Sequence, residues 1–438
     1  MKKISSRALS VLLIAALVIS GLCVFIREDY THGRRWATTF SGFDPDAEGE
    51  LQDVNGTVLA AFGKDYHGYS PEALTRIANY HVTGDFVGMT GTGLLTRFWG
   101  TAQNYSFIRG TSGRRVGSIR LSVDASLNNI AWNALRANGK GCIMMMNYRT
   151  GEVVCLVSSP SVDPVYDTDI EALEDGSFVN RALSARYIPG STFKLITAAA
   201  AIENIADIEE RQFLCQGEYD IAGVKIVCEE STAHGWQSFE EAMANSCNCS
   251  FARITVMLGQ DTMVKYVKDY GFLSSHTING IYTPAGNYPT EFVGDPELAW
   301  SGIGQSVDQV CPYTMLRYVA AIANGGVLPE PTFIAGDTSG KAVSLIRPST
   351  AQRLAELMRN NVETHYEGDL RFPGLPLCAK TGTAETGSGT SHSWFTGFLQ
   401  DEEHPYAFVA VVEEGGYGLW TAGLMMNDIF QTYLKEQP

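Results

Sequence analysis

Ser191 and Lys194 are the residues whose types and spacing first suggest chemistry. They lie in Pro189-Gly190-Ser191-Thr192-Phe193-Lys194, and Leu195 to Glu203 after them is an alanine-rich, strongly helix-forming run. Pro189-Gly190 stops whatever precedes it. Ser191 therefore falls in the first turn of a helix, with Lys194 on the same face. An amine held neutral by burial or by another cation can take a proton from a neighbouring hydroxyl. The helix N-terminus favours the negative charge that develops on the serine oxygen. The pair reads as a nucleophile with its base one turn away. Ser-x-x-Lys usually marks a solvated helix face, but here it occurs once in the chain, behind a Pro-Gly break.

Two further groups follow in order. Ser246-Cys247-Asn248 presents a hydroxyl and a carboxamide from one short loop. Ser246 can relay a proton between Lys194 and a leaving amine, and Asn248 can hydrogen-bond a substrate amide. In Lys380-Thr381-Gly382-Thr383, the lysine can hold a carboxylate and lower the pKa of a neighbouring amine. Thr381 and Thr383 add hydroxyls, and Gly382 lets an acyl chain pass close to the backbone. Alone, each triplet recurs by chance. In this order the three match the signature of penicillin-binding proteins and class A β-lactamases, and the chain resembles a penicillin-interacting transpeptidase.

The flanking sequence narrows the resemblance. Thr150-Gly151-Glu152, Ser158-Ser159-Pro160-Ser161, Asp163-Pro164 and Asn180-Arg181-Ala182 precede the nucleophile in the order typical of class B transpeptidases. Asn55-Gly56 with Leu59-Ala60 resembles an element near the start of class B proteins. The resemblance implies an α+β fold, an antiparallel sheet with helices on both faces, behind a small N-terminal pedestal and one transmembrane helix. It implies peptidoglycan cross-linking: Ser191 attacks the D-Ala-D-Ala carbonyl of one stem peptide, D-alanine leaves, and an amine of a neighbouring stem resolves the acyl-enzyme. Lys194 is then the acylation base, Ser246 and Lys380 shape the proton path, and Asn248, Thr381, Gly382 and Thr383 bind substrate. The backbone N–H groups of Ser191 and Thr383 form the oxyanion hole. No metal or organic cofactor is implied. The implied partners are lipid-linked nascent glycan, a SEDS-type glycan polymerase contacted through anchor and pedestal, and β-lactams that acylate Ser191 as mimics of the dipeptide.

The elements that must position these groups can be read in turn. Ala8 to Ile26 is an uncharged apolar run of 19 residues behind Lys2, Lys3 and Arg7. As a helix it spans ~28 Å, about one bilayer core. Basic residues on its amino side predict a cytoplasmic N-terminus and everything after Arg27 outside, and the run reads as an uncleaved anchor. Residues 28–117 carry no catalytic motif and read as the pedestal, with no helical periodicity between Tyr80 and Gly100. Residues 118–438 form the transpeptidase domain. Within it, Ala125 to Asn138 reads as a helix, Cys142 to Asn147 and Glu152 to Ser158 as a hairpin, and Pro312 to Ala323 and Ser349 to Asn361 as amphipathic helices. Ser238 with Glu241 makes a capping box for Phe239 to Asn245. The formal charge of −16 over 438 residues argues against nucleic acid and against broad adhesion to an anionic membrane.

Nine cysteines are many for an exported protein. Cys142, Cys155, Cys311 and Cys378 have apolar neighbours and read as buried thiols. Cys215, Cys228, Cys247 and Cys249 crowd one region with His234. That is a donor set zinc accepts, without the C-x-x-C pairs that mark a metal site. A hairpin through Ala222-Gly223 leads instead to a Cys215–Cys228 disulfide, with Cys228–Cys247 as the other pairing. His234 and His392 read as surface or structural, since no G-x-S-x-G elbow presents a serine to them. Other functions share the motifs: a D,D-carboxypeptidase or serine β-lactamase passing the acyl group to water, a β-lactam sensor, or a scaffold that activates the polymerase. Anchor and pedestal count against a secreted β-lactamase, and no signalling domain is present.

Overall fold

The computed structural model describes residues 6–40, 49–63, 66–86, 88–102, 105–106, 110–111, 117–167, 169–305, 307–387 and 389–436. Helix α1 (Ser6–Phe40) contains the apolar segment Ala8–Arg27, long enough to cross a membrane and buried nowhere against the protein.

A four-stranded sheet comes next, in the order β3-β2-β1-β4: β1 (Gly49–Gln52), β2 (Val58–Gly63), β3 (Tyr66–Tyr69) and β4 (Gly117–Arg120). Helices α2 (Ala73–Thr83) and α3 (Leu94–Ala102) lie between β3 and β4 in sequence. The sequence reading gave no helix between Tyr80 and Gly100; α3 is only nine residues long, with glycines before and within it, yet it is amphipathic and buries Leu94 and Leu95. Helix α2 is tied to the catalytic domain. Arg76 pairs with Asp163 through Nε–Oδ1 at 2.9 Å and a second nitrogen–Oδ2 contact at 2.8 Å, both side chains almost fully buried. Removing one partner of such a buried pair costs about 3–5 kcal/mol.

The catalytic domain is built on a five-stranded antiparallel sheet in the order β11-β12-β13-β5-β6. These are β5 (Gly141–Asn147), β6 (Val153–Ser159), β11 (Leu377–Glu385), β12 (Ser391–Leu399) and β13 (Tyr406–Val412). Strand β5 reads GCIMMMN because both faces are covered. Cys142, Met144 and Met146 join the core under the helical lobe, while Ile143 and Met145 join the core beneath α4 (Ala125–Asn138) and the C-terminal helix. Helix α4 starts where the sequence placed it, because the Asp124 carboxylate accepts from the backbone N–H groups of Ser126 and Leu127. The helical lobe includes α5 (Lys194–Asn204), α6 (Phe239–Ala244), α7 (Asn248–Leu258), α8 (Pro312–Ala323) and α9 (Pro348–His365); α10 (Leu424–Glu436) closes the opposite face. The Ser238–Glu241 capping box opens α6 as expected.

Between α5 and α6 lies a small β-rich segment: β7 (Phe213–Cys215), β8 (Glu218–Ile221), β9 (Val224–Val227) and β10 (Gly235–Gln237). Strands β8 and β9 form the hairpin through Ala222-Gly223, both residues at positive φ. Strand β7 pairs not with that hairpin but with β10, Cys215 opposite Gly235.

Candidate active site

Gly190–Phe193 forms a 3₁₀ turn leading into α5, so Ser191 sits one tight turn before the helix and Lys194 on its first residue. The turn is pressed against the edge strand β11. A Cβ on Gly190, at φ +54°, would lie 2.6 Å from the Thr383 carbonyl oxygen, and one on Gly382 would lie 2.8 Å from that of Pro189. Gly382 therefore has a packing reason beside the acyl-chain role read from sequence. Gly304, another glycine at positive φ, closes on the carbonyl of Gly190 in the same way.

Lys194 is wholly buried, and its amine meets four oxygens. Ser246 O and Asn248 Oδ1 are each 2.6 Å away, Ser191 Oγ is 2.9 Å away and Ser246 Oγ 3.3 Å. The two nearest are carbonyl-type oxygens that only accept. They take the two N–H bonds of a neutral amine and leave its lone pair for the Ser191 hydroxyl. Burial pulls the Lys194 pKa down to about 8, against the upward pull of the Cys247, Cys228 and Cys249 sulfurs and of Glu229. A neutral base is thus accessible near physiological pH.

Lys380 is also fully buried, its pKa held well below the ordinary lysine value by desolvation and by the neighbouring Lys194 charge. Its Nζ reaches Ser246 Oγ at 2.9 Å and the Thr381 carbonyl at 3.0 Å. The sequence offered it two roles, gripping a carboxylate and depressing a neighbouring amine; buried against Ser246, it is instead the amine that burial and Lys194 depress. Ser246 lies between the two lysines at φ +51°, a left-handed conformation rare for serine and held by the surrounding loop.

Asn248 is engaged at both ends of its carboxamide. Its oxygen faces Lys194, and Nδ2 donates to the Val227 carbonyl at 2.9 Å. In this arrangement it positions the base, leaving one N–H for a substrate amide. Thr381 and Thr383 line a cleft of about 1090 Å³ together with Ser191, Ser246, Tyr417 and Trp420. An edge strand leaves alternate N–H groups without a strand partner. Thr381's is met by the Tyr366 hydroxyl at 3.1 Å, which also lies 3.1 Å from Thr381 Oγ1. Two residues on, Thr383 presents its backbone in the same direction, and its carbonyl accepts from Gln305 Nε2 at 3.4 Å. Tyr366, just past the end of α9, is a site residue that sequence reasoning missed.

The cysteines differ from expectation. Cys215 and Cys228 are unbonded, their sulfurs 3.6 Å apart, and Cys228 is as near to Cys247, at 3.7 Å, and to Cys249, at 3.5 Å. Neither disulfide pairing is formed, because strand pairing converges four sulfurs on one point instead of two. His234, read as surface or structural, points Nδ1 at Cys215 Sγ, 3.3 Å away. His392 does hold a structural place, its ring edge-on to Tyr187 and its Nδ1 accepting from Glu414 N–H.

Comparison with known proteins decides the family. Residues 141–431 match the penicillin binding protein transpeptidase domain. The chain belongs to this family. This penicillin-binding protein is 35% identical over 290 residues to stage V sporulation protein D of Bacillus subtilis, covering 61% of the chain but only 44% of that relative. With the peptidoglycan D,D-transpeptidase PbpA of Mycobacterium tuberculosis it shares 27% over 350 residues, 70% of each protein. The fold agrees: a solved D,D-transpeptidase domain from Eggerthella lenta superposes with a TM-score of 0.75 at 25% identity, covering 90% of this chain and 99% of that one. The ceftriaxone acyl-enzyme of the M. tuberculosis protein superposes with 0.74 at 22% identity, covering 89% and 99%.

Proposed function

We propose that this penicillin-binding protein is a monofunctional, class B peptidoglycan D,D-transpeptidase acting through an acyl-enzyme on Ser191. The observation that carries the reading is the donor count at Lys194: two carbonyl-type oxygens at 2.6 Å take its N–H bonds, and the nucleophile hydroxyl stands at 2.9 Å. Ser191 Oγ attacks the carbonyl of the penultimate D-alanine of a stem peptide while its proton passes to Lys194. The backbone N–H groups of Ser191 and Thr383 receive the developing oxyanion. Collapse breaks the peptide bond, and the departing D-alanine amine takes its proton from Lys194 through Ser246, which touches both lysines. A neighbouring stem amine then attacks the ester, and the same groups run in reverse. The Thr381 and Thr383 hydroxyls, open to the cleft, receive the terminal carboxylate. The donor peptide lies along the cleft side of β11 near Thr383 as an added strand, the Thr381 N–H being already taken by Tyr366.

Around this chemistry we assign residues 1–27 to a cytoplasmic tail and anchor, 28–117 to the pedestal, and 118–438 to an extracytoplasmic transpeptidase domain. Lys2, Lys3 and Arg7 before the apolar segment support that orientation. Anchor and pedestal are the surfaces we assign to lipid-linked glycan and a SEDS-type polymerase.

The test is covalent labelling of the detergent-solubilised full chain by a fluorescent penicillin, wild type against Ser191→Ala, followed over time. A long-lived adduct on the Ser191 peptide, lost in the variant, is the expected result. Rapid release of the label would mean a hydrolase. A folded protein that takes no label would leave only the scaffold reading.

A further inference from the structure

Cys215, Cys228, His234 and Cys247 place their ligand atoms within 4.8 Å of one another, and the three cysteines are buried. Each comes from a different element: the end of β7, the residue after β9, the residue before β10, and the cap of α7. The intervals are 12, 5 and 12 residues, so chain topology and not local spacing brings them together.

The geometry points to a structural zinc ion held by these four residues. Zinc bonds of ~2.3 Å to sulfur and ~2.0 Å to imidazole nitrogen make a tetrahedron with edges of ~3.8 Å between sulfurs and ~3.5 Å from sulfur to nitrogen. The corresponding separations here are 3.6 Å for Cys215–Cys228, 3.7 Å for Cys228–Cys247 and 3.3 Å for Cys215–His234 Nδ1. Two backbone amides are aimed at the sulfurs: Gly217 N–H at Cys215 Sγ, 3.5 Å away, and Ser250 N–H at Cys247 Sγ, 3.4 Å away. Amide donors of this kind orient and stabilise metal-bound thiolates. Of the four, Cys249 hydrogen-bonds to Cys228 alone. Its sulfur lies 3.5 Å from Cys228 Sγ and points its S–H at the Ile226 carbonyl, so it is the thiol left outside the coordination sphere. Binding releases three thiol protons, and three thiolates with a neutral imidazole leave the site with one net negative charge.

The consequence concerns catalysis and rests on the transpeptidase reading above. Cys247 stands between Ser246 and Asn248, and Cys228 follows Val227, whose carbonyl holds the Asn248 amide. A metal joining Cys228 to Cys247 therefore clamps both anchors of the loop that presents Ser246 and Asn248 to Lys194. The zinc is a positioning device and touches no substrate.

The experiment is elemental analysis of the full chain purified in detergent without chelator. One zinc per chain is expected, retained through gel filtration and released to a metallochromic dye when an organomercurial titrates the thiols. Cys228→Ser and His234→Ala should lose the zinc, with penicillin labelling slowed ~10- to 100-fold, as loss of metal-site contacts commonly does. Cys249→Ala should keep both metal and labelling rate. A wild-type protein without zinc, whose intact mass shows a disulfide among these cysteines, would overturn the proposal, as would loss of zinc in Cys249→Ala. The thiol titration is made on the wild type, so a variant that fails to fold does not block the test. Stoichiometric zinc in a chain that takes no penicillin would leave the metal site standing and sink the transpeptidase reading; a zinc-free chain that labels normally does the reverse.

Discussion

The two walls of the cleft are ordered by different means. On one side, Ser191 and Lys194 are fixed by backbone packing: Gly190, Gly304 and Gly382 let the nucleophile turn, a neighbouring loop and strand β11 approach closer than any Cβ allows. On the other, Ser246 and Asn248 ride on a loop tied down by three converging sulfurs, an imidazole and one amide–carbonyl bond. The first wall belongs to the five-stranded sheet and its helices and is as stable as the core. The second stands at the joint of α6 and α7, roofed by the short strands β7 to β10, of which Phe213, Cys215, Ile221 and Ile226 are buried. What differs is the source of order: close packing in one case, convergent side-chain chemistry in the other. A nucleophile must be rigid before substrate arrives. A proton relay between two lysines must also be held, but it can be held conditionally.

Removing the base separates the walls most sharply. Lys194→Met keeps the volume and apolar stem of the side chain, yet leaves Ser191 without a proton acceptor and Ser246 O and Asn248 Oδ1 without a donor. Acylation by penicillin should slow by ~10²–10⁴-fold, the usual contribution of a positioned general base. Zinc content should be unchanged, because no ligand is disturbed. A variant that loses its metal along with its rate would show that the two walls depend on each other and are not ordered independently.

Proton linkage gives a smaller, graded effect. In the proposed mechanism the neutral amine of Lys194 is the base; burial brings its pKa to about 8, with Glu229, the Cys228, Cys247 and Cys249 sulfurs and Lys380 facing it. Below that value the amine is increasingly protonated. The second-order acylation rate should therefore fall about tenfold per pH unit below pH ~8 and level off above it. Stopped-flow labelling from pH 6 to 9.5 reads this directly. A rate flat across that range would remove Lys194 as the titrating base.

How much of this was legible in the sequence follows the same division. The first wall was readable because its determinants are local: Pro-Gly before an alanine-rich helix, Asp124 capping α4, the Ser238–Glu241 box, and a both-sides-apolar β5. The order of the three motifs then gave the site residues. The second wall was readable only in part: the motif named Ser246 and Asn248, and the crowding of four cysteines with His234 was visible, but not how the chain brings them together. Ligand intervals of 12, 5 and 12 residues carry no local signature, since only the pairing of β7 with β10, across the intervening hairpin, closes the cluster. A hairpin seen in isolation suggested two sulfurs and hence a bond between them. Lys380 misled in a different way: a lysine on an edge strand looks exposed in sequence, and only the packing of Ser246 over it shows that it is buried. Helix α3 escaped because it is only nine residues long, with Gly93 before it and Gly100 within it, and reads as a glycine-punctuated loop.

Tyr366 offers the finest test, because it supports the first wall from outside the three motifs. A lone tyrosine past the end of α9 has no sequence signal, yet its hydroxyl accepts from Thr381 N–H and touches Thr381 Oγ1, both at 3.1 Å. Its ring packs against Phe395 with centroids 6.3 Å apart. Tyr366→Phe preserves that packing and removes only the oxygen, leaving one N–H of the edge strand without its partner and Thr381's hydroxyl free to turn. A neutral hydrogen bond is worth about 0.5–1.5 kcal/mol, or roughly 2- to 12-fold. Since Thr381 is assigned to hold the ligand carboxylate and not to move protons, the loss should fall on binding. The penicillin concentration for half-maximal labelling should rise several-fold, while the rate at saturation stays near wild type. The opposite split would place Tyr366 in the proton path, next to Ser246 and Lys380, and the Thr381 hydroxyl would lose the carboxylate role given to it.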